Sequence, residues 1–246
     1  MSTDSIYKAA VKSVTRHFSE NGGCIRHLDI GSGSGELVRL LKERFDTQAS
    51  CLDYTSELMT LPGQVVDVVD LNHAERLPYD DDSFDLITAT EVIEHLEHFR
   101  KLFREAYRLL REGGLMVVST PNVININSRF RNLCFGFPDL MGPLPVHQRR
   151  KESCAGHISP VSVFYIVHAV NELSFKNVEV NVDRYQRSGM VKMVFLWIPL
   201  KFGCMLITRR EIRKYKTIDP SNRELVKGLN SLPLLLGRTV IVSALK

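Results

Sequence analysis

Apolar and polar positions change period several times along this chain of 246 residues. Residues 4–20 follow a helical repeat, with Asp4 able to cap its start and Asn21-Gly22-Gly23 closing it. CIRHLDI (24–30) then predicts a strand and GELVRLLKERF (35–45) a helix. QASCLD (48–53) reads as a second strand followed by a short helical turn at SELM, VVDVVD (65–70) as a third strand and SFDLITAT (83–90) as a fourth. EHFRKLFREAYRLLREGG (97–114) is a strongly periodic helix stopped at glycine, and LMVVST (115–120) is a fifth strand closed by Pro121. Strands alternating with helices predict an α/β fold with a parallel sheet and right-handed crossovers.

Beyond Pro121 the regularity fails. Residues 122–158, punctuated by Gly136, Pro138, Gly142, Pro143, Pro145 and Gly156, predict an irregular insertion that serves as a lid over a substrate. Order returns at SPVSVFYIVHAVNELSF (159–175), where Ser159 can cap a helix and Pro160 occupies its first position. NVEVNVDRY (177–185) and RTVIVSAL (238–245) complete the strands of a single domain over 1–246. Between them a second insertion, 186–236, contains the most apolar run of the chain, MVKMVFLWIPLKFGCMLI (190–207). Lys192, Pro199 and Lys201 argue against a membrane span. Two readings stay open: a buried cap on the substrate side, or an interfacial segment backed by the basic Arg209, Arg210, Arg213 and Lys214.

Composition alters this picture little. With 44% hydrophobic and 24% charged residues the chain has the balance of an ordinary globular protein. A net charge of +4 is compatible with anionic partners but too weak to imply nucleic acid. The five cysteines (24, 51, 134, 154, 204) are scattered, with no C-x-x-C pair, which predicts reduced thiols and no zinc site. The polar, helix-like N-terminus has no signal-peptide core, so the expected location is cytoplasmic, with contact to the cytoplasmic face of a membrane if the 190–207 run is interfacial.

The densest chemical signal is LDIGSGSGE (28–36). Small residues after a first strand, opening a helix, let backbone N–H groups approach a ligand at the helix N-terminus. Asp53 ends the next strand about 20 residues on, where a carboxylate can accept from both hydroxyls of a ribose. The spacing is G-x-G-x-G rather than the G-x-G-x-x-G of dinucleotide enzymes, and Asp29 just before it suits a cationic ligand better than a pyrophosphate.

LDIGSGSGE, CLDYTSELM, DLNHAERLPYDDDSFDLI, EVIEHLEH and LREGGLMVVSTPN together resemble the class I S-adenosylmethionine-dependent methyltransferases, over residues 25–121 almost without gaps. The resemblance implies a Rossmann-like seven-stranded sheet of order 3-2-1-4-5-7-6, its last strand antiparallel, with helices on both faces. It implies S-adenosylmethionine as cofactor, with Gly31, Gly33 and Gly35 beneath the methionine part and Asp29 near the ammonium. Asp53 would hold the ribose with Tyr54 beside it, and Asp70 and Leu71 would read the adenine edge. Asp70 as a simple cap of the turn after the third strand stays open, and Asp85 and the run Asp80-Asp81-Asp82 read as structural and solvated acids.

EVIEH (91–95) falls at the carboxyl end of the fourth strand, where the methyl group would lie. If helical, Glu91, Glu94 and His95 share one face. His95 can act as a general base oriented by a carboxylate, or the trio can hold a divalent cation that acidifies a hydroxyl, or the face is merely wet. The stretch is similar to one in small-RNA 3′-terminal 2′-O-methyltransferases, where it binds metal, and to an E-x-x-E-H in ubiquinone-biosynthesis O-methyltransferases. His147 or His157 could complete a metal site, although catalysis without metal is the preferred expectation. The expected acceptor is a small-molecule, glycan or lipid-linked hydroxyl or carboxylate. RNA 3′-end methylation and a non-catalytic cofactor-binding scaffold are the alternatives.

Overall fold

The computed structural model describes residues 4–19, 22–144 and 156–246. Seven strands, β1 (Ile25–Ile30), β2 (Thr47–Asp53), β3 (Val66–Val68), β4 (Phe84–Thr90), β5 (Leu110–Pro121), β6 (Lys176–Val182) and β7 (Thr239–Leu245), form one sheet. Their order is β3-β2-β1-β4-β5-β7-β6. The first five are parallel, and β7 runs antiparallel to both β5 and β6. This is the order that the family resemblance implied.

Helices cover both faces, so β4 is buried at every position and reads as a continuous rather than an alternating apolar run. Neighbouring residues of a strand feed opposite cores. Leu86 and Val117 pack with Ala10 and Val14 of α1 (Asp4–His17) and with Leu37 and Leu41 of α2 (Glu36–Lys42). Ile87 and Met116 pack with Phe103 and Ala106 of α3 (Phe99–Leu109) and with Ile166 and Val170 of α5 (Val163–Glu172).

Several local expectations change. SELM forms a bend and turn, not a helix. Helix α3 stops at Leu109, ahead of the glycines, because Leu110 already pairs with Phe84 in the parallel ladder. Gly113, at φ +75°, lies within β5, where the register shifts between Phe84 and Leu86. The expected irregular insertion contains α4 (Ile126–Phe135), capped by the Asn125 side chain, which accepts from Ser128 N at 2.8 Å. Helix α5 begins at Val163 with Ser162 as its cap, not at Ser159-Pro160. The earlier residues are held elsewhere: Ile158 N and Ser159 N both donate to the Glu94 carbonyl at 2.9 Å.

The second insertion carries α6 (Arg187–Arg210), a π-helical turn (Glu211–Tyr215), α7 (Arg223–Gly228) and α8 (Leu232–Leu236). Pro199 lies inside α6 without ending it. Only Gly189 and Met193 of this helix are buried, which corrects the buried-cap reading of 190–207.

Candidate active site

The glycine turn sits at the carboxyl ends of β1 and β4. Gly31, Gly33 and Gly35 all have positive φ (71°, 50° and 80°), a region glycine enters without a Cβ penalty. They differ in surroundings. A Cβ on Gly31 would lie 2.4 Å from Val92 Cγ2, and one on Gly35 would lie 2.7 Å from Met59 Sδ. Gly33 has nothing of the described residues within 4 Å of that position. The turn is therefore packed at its ends and open at its middle, as a backbone cradle for a ligand requires.

Asp29 lies buried beneath this turn rather than open to it. Thr88 Oγ1 donates to Asp29 Oδ1 at 2.5 Å, and His27 Nε2 is 2.7 Å from the same hydroxyl. The threonine proton is committed to the carboxylate, so His27 must donate through Nε2, leaving Nδ1 as a buried atom without a partner. Burial holds His27 neutral, its pKa lowered to about 3, and raises that of Asp29 to about 7, with the negative charge of Asp53 adding a smaller push.

Asp53 Oδ2 accepts from Gly33 N at 2.8 Å and Oδ1 from Tyr54 N at 2.7 Å. Its carboxylate thus ties the end of β2 to the glycine turn, keeping the spare lone pairs that two ribose hydroxyls would need. Tyr54 is partly exposed beside it. Asp70 caps its own turn, Oδ1 accepting from Asn72 N at 2.9 Å with His73 Nδ1 at 2.9 Å from Oδ2, and Leu71 packs partly buried on the core. Asp85 is structural: it accepts from Arg26 N at 2.7 Å and pairs with Arg111.

EVIEH is not one helical face. Glu91 terminates β4 at φ +56°, a left-handed conformation that costs a non-glycine residue strain, and Ile93–His95 form a single 3-10 turn. Ser119 Oγ lies 3.4 Å from Glu91 Oε1, and the Glu91 N–H donates to the Ser119 carbonyl and hydroxyl, each at 3.1 Å. Glu94 is fully buried. Thr120 Oγ1 donates to its Oε2 at 3.0 Å, while Oε1 has no partner. Burial raises both acids above the usual carboxylate range, and the Glu91 charge raises Glu94 further. Like charges held together in a dry site share protons rather than ionise fully.

His95 Nδ1 lies 2.9 Å from the Gly156 carbonyl, which can only accept, so Nδ1 carries the proton and Nε2 presents a lone pair. Burial lowers its pKa, keeping the ring neutral. His157 is oriented in the same way, Nδ1 donating to the Leu140 carbonyl at 2.8 Å, and its ring meets His95 edge-on with centroids 5.0 Å apart. Among the described residues, Glu94, His95 and His157 each bring a ligand atom within 4.8 Å of the others. Glu91 is outside this group, while His157, one of the two histidines expected to complete such a site, is inside it. His147 and Cys154 lie outside the described residues. Sequence reasoning missed Thr88, Ser119 and Thr120, which bond Asp29, Glu91 and Glu94, and His27, which bonds Thr88. All four sit on strands inside apolar runs, and only their polarity at buried positions could have signalled them.

The model of a methyltransferase domain family matches residues 5–180. An uncharacterised protein of Methanocaldococcus jannaschii is 23% identical over 77% of this chain and 81% of its own length. A ubiquinone/menaquinone biosynthesis C-methyltransferase of Bartonella tribocorum is 34% identical, over 35% of this chain and 37% of its own. A malonyl-[acyl-carrier protein] O-methyltransferase of a Marinomonas strain is 31% identical over 38% and 37%. Among solved structures, an S-adenosylmethionine-dependent methyltransferase from Archaeoglobus fulgidus has the same fold, with a TM-score of 0.60 at 18% identity over 97% of this chain and 92% of that one. A Haemonchus contortus phosphoethanolamine N-methyltransferase bound to S-adenosylmethionine aligns with a TM-score of 0.53 at 16% identity, over 97% of this chain and 52% of its own. With the glycine cradle, the acid at the end of β2 and the sheet order already in place, the chain belongs to the class I S-adenosylmethionine-dependent methyltransferases.

Proposed function

We propose that this methyltransferase methylates an oxygen of a small-molecule, glycan or lipid-linked acceptor, with His95 taking the acceptor proton. The supporting observation is the neutral His95 ring, its Nδ1 held by the Gly156 carbonyl and its other nitrogen left free to act as a base. Val92, three residues earlier, packs directly on Gly31, which links the glycine turn through a short stretch of chain to the base. Methyl transfer is an in-line displacement, and holding the three reacting centres in line supplies roughly 7–11 kcal/mol of the barrier reduction. A hydroxyl acceptor must also lose its proton, whereas a carboxylate need not. Glu91 and Glu94, partly protonated, shape the polar wall of the acceptor side without placing two full charges next to the sulfonium. That the Marinomonas relative is named an O-methyltransferase agrees with this reading.

A second reading rests on the proximity of Glu94, His95 and His157. Two imidazoles and a carboxylate are a donor set suited to a divalent cation that would acidify the hydroxyl, and Glu94 keeps one oxygen without a partner among the described residues. S-adenosylhomocysteine release, measured over a panel of phenolic, saccharide and lipid acceptors with and without chelator, separates the two. For a base, chelator leaves turnover intact, His95→Ala loses roughly 10²–10⁴-fold, and His157→Ala has a small effect. For a metal, chelator and each of Glu94→Gln, His95→Ala and His157→Ala remove activity, and added Mg²⁺ or Mn²⁺ restores the chelated wild type. Full turnover in all variants would remove both readings. Cofactor binding without turnover on any acceptor would favour the scaffold alternative.

A further inference from the structure

Helix α6 is the element that the methyl-transfer chemistry does not use. Successive residues of a helix turn by ~100°, which puts Val191, Val194, Phe195, Ile198 and Phe202 on one face of α6. Gly189, Met193, Leu196 and Leu200 then fall on the opposite face, and these are the residues that meet Ile126, Leu235 and Leu236 of the domain. The first set has no cover among the described residues: Val194, Phe195 and Ile198 are 77%, 76% and 78% exposed. Lys192 and Lys201 stand at ~90° to either side of that bare face by the same helical geometry. Lys201 Nζ lies 4.5 Å above the Trp197 ring, and Lys192 Nζ reaches Asn127 Oδ1 at 2.7 Å. Neighbouring α4 adds exposed Phe130 and Leu133.

The helix is long and apolar enough to cross a membrane by length and composition. The sheet forbids a crossing. β6, before α6, and β7, after it, pair with each other, so both ends of the excursion lie on one side. Residues 211–238 hold only the short α7, the short α8 and the π-helical turn, none of them long enough to return through a bilayer. A helix apolar on two opposite faces, one packed on its own domain, must lie flat and bury the other in something else.

We propose that this face of α6, with the adjoining side of α4, seats in the surface of an anionic lipid bilayer. Flanking lysines beside a bare apolar face are placed to reach headgroups while their stems follow the acyl boundary. Arg209, Arg210, Arg213, Lys214 and Lys216 follow, and Glu211 is the only acid from 187 to 216, so the charge complements anionic lipid. The proposal stands apart from the choice between base and metal.

Flotation of the full chain with vesicles of phosphatidylcholine alone or with 30% phosphatidylglycerol tests it. The expected result is recovery with the vesicles that rises at least tenfold with the anionic lipid and falls with added salt as the charges are screened. Phe195→Glu with Ile198→Glu abolishes flotation, while calorimetry shows S-adenosylhomocysteine binding unchanged, which verifies folding. Arg209→Glu with Arg210→Glu removes the preference for anionic lipid. Equal recovery with and without vesicles overturns the proposal. So does a self-association, seen by sedimentation equilibrium and broken by the Phe195/Ile198 pair, in a protein that ignores vesicles, because a second copy then covers the face.

Discussion

At the scale of single residues, the chemistry depends on where protons sit. Asp29, beneath the glycine turn, has its pKa raised by burial to about 7, against an ordinary value of about 3.9 in an unfolded chain. Between these values the native state keeps a proton that the unfolded state has lost, so this group's contribution to stability falls as pH rises from ~4 to ~7 and is level above. His27 works oppositely: with its pKa lowered to about 3, the unfolded chain takes up a proton first, and stability rises with pH up to ~6.5. Asp29→Asn keeps an acceptor for the Thr88 hydroxyl but removes the titration. Urea midpoints compared between wild type and variant should therefore diverge between pH 4.5 and 7, with the variant gaining on the order of a few kcal/mol relative to wild type by pH 7. A constant difference across that range would mean that Asp29 is already ionised in the fold.

At the scale of elements, the turn between β1 and α2 separates packed glycines from an open one within five residues. A Cβ at Gly33 meets no atom of the described residues within 4 Å, so the main expected cost of Gly33→Val to the fold is the strain of a side chain at φ +50°, about 1–2 kcal/mol. Its added methyls occupy the open middle of the cradle, and calorimetry should find cofactor binding gone. Gly31→Ala instead drives a methyl into Val92. It should lower the thermal midpoint more than Gly33→Val does and displace the EVIEH corner. If Gly33→Val bound the cofactor like wild type, the cradle would not be the binding surface.

At the scale of the whole molecule, cofactor binding and folding are linked, because the glycine turn, Asp53 and the corner of β4 come together only when the sheet is assembled. A ligand that binds only this assembled state stabilises it by about 2.7 kcal/mol at a hundredfold excess over its dissociation constant. S-adenosylhomocysteine should therefore raise the thermal midpoint of wild type in a concentration-dependent way. Asp53→Ala should show a smaller rise, because it loses the tie to Gly33 and, if this carboxylate holds the ribose, that acceptor as well. An equal rise in the two proteins would place the ribose elsewhere.

The sequence by itself determined the strand and helix alternation, the glycine turn and the family. Those signals are local: a run of apolar residues buried on both faces and glycines at positive φ are properties of short segments, and the β1–β5 half carries them in order. It also placed Asp53 and EVIEH at strand ends, since the carboxyl end of a parallel strand is where its following loop must lie. Only the tertiary structure decided what these residues touch. The end of α3 depended on Leu110 finding Phe84, a partner 26 positions away. The choice of His157 to join Glu94 and His95 depended on a chain segment more than sixty residues distant folding back to tie Gly156 to His95. The apolar run at 190–207 looks the same in sequence whether buried or bare. Its fate was settled by β6 and β7, which close the sheet with each other and leave one face of α6 without a neighbour among the described residues.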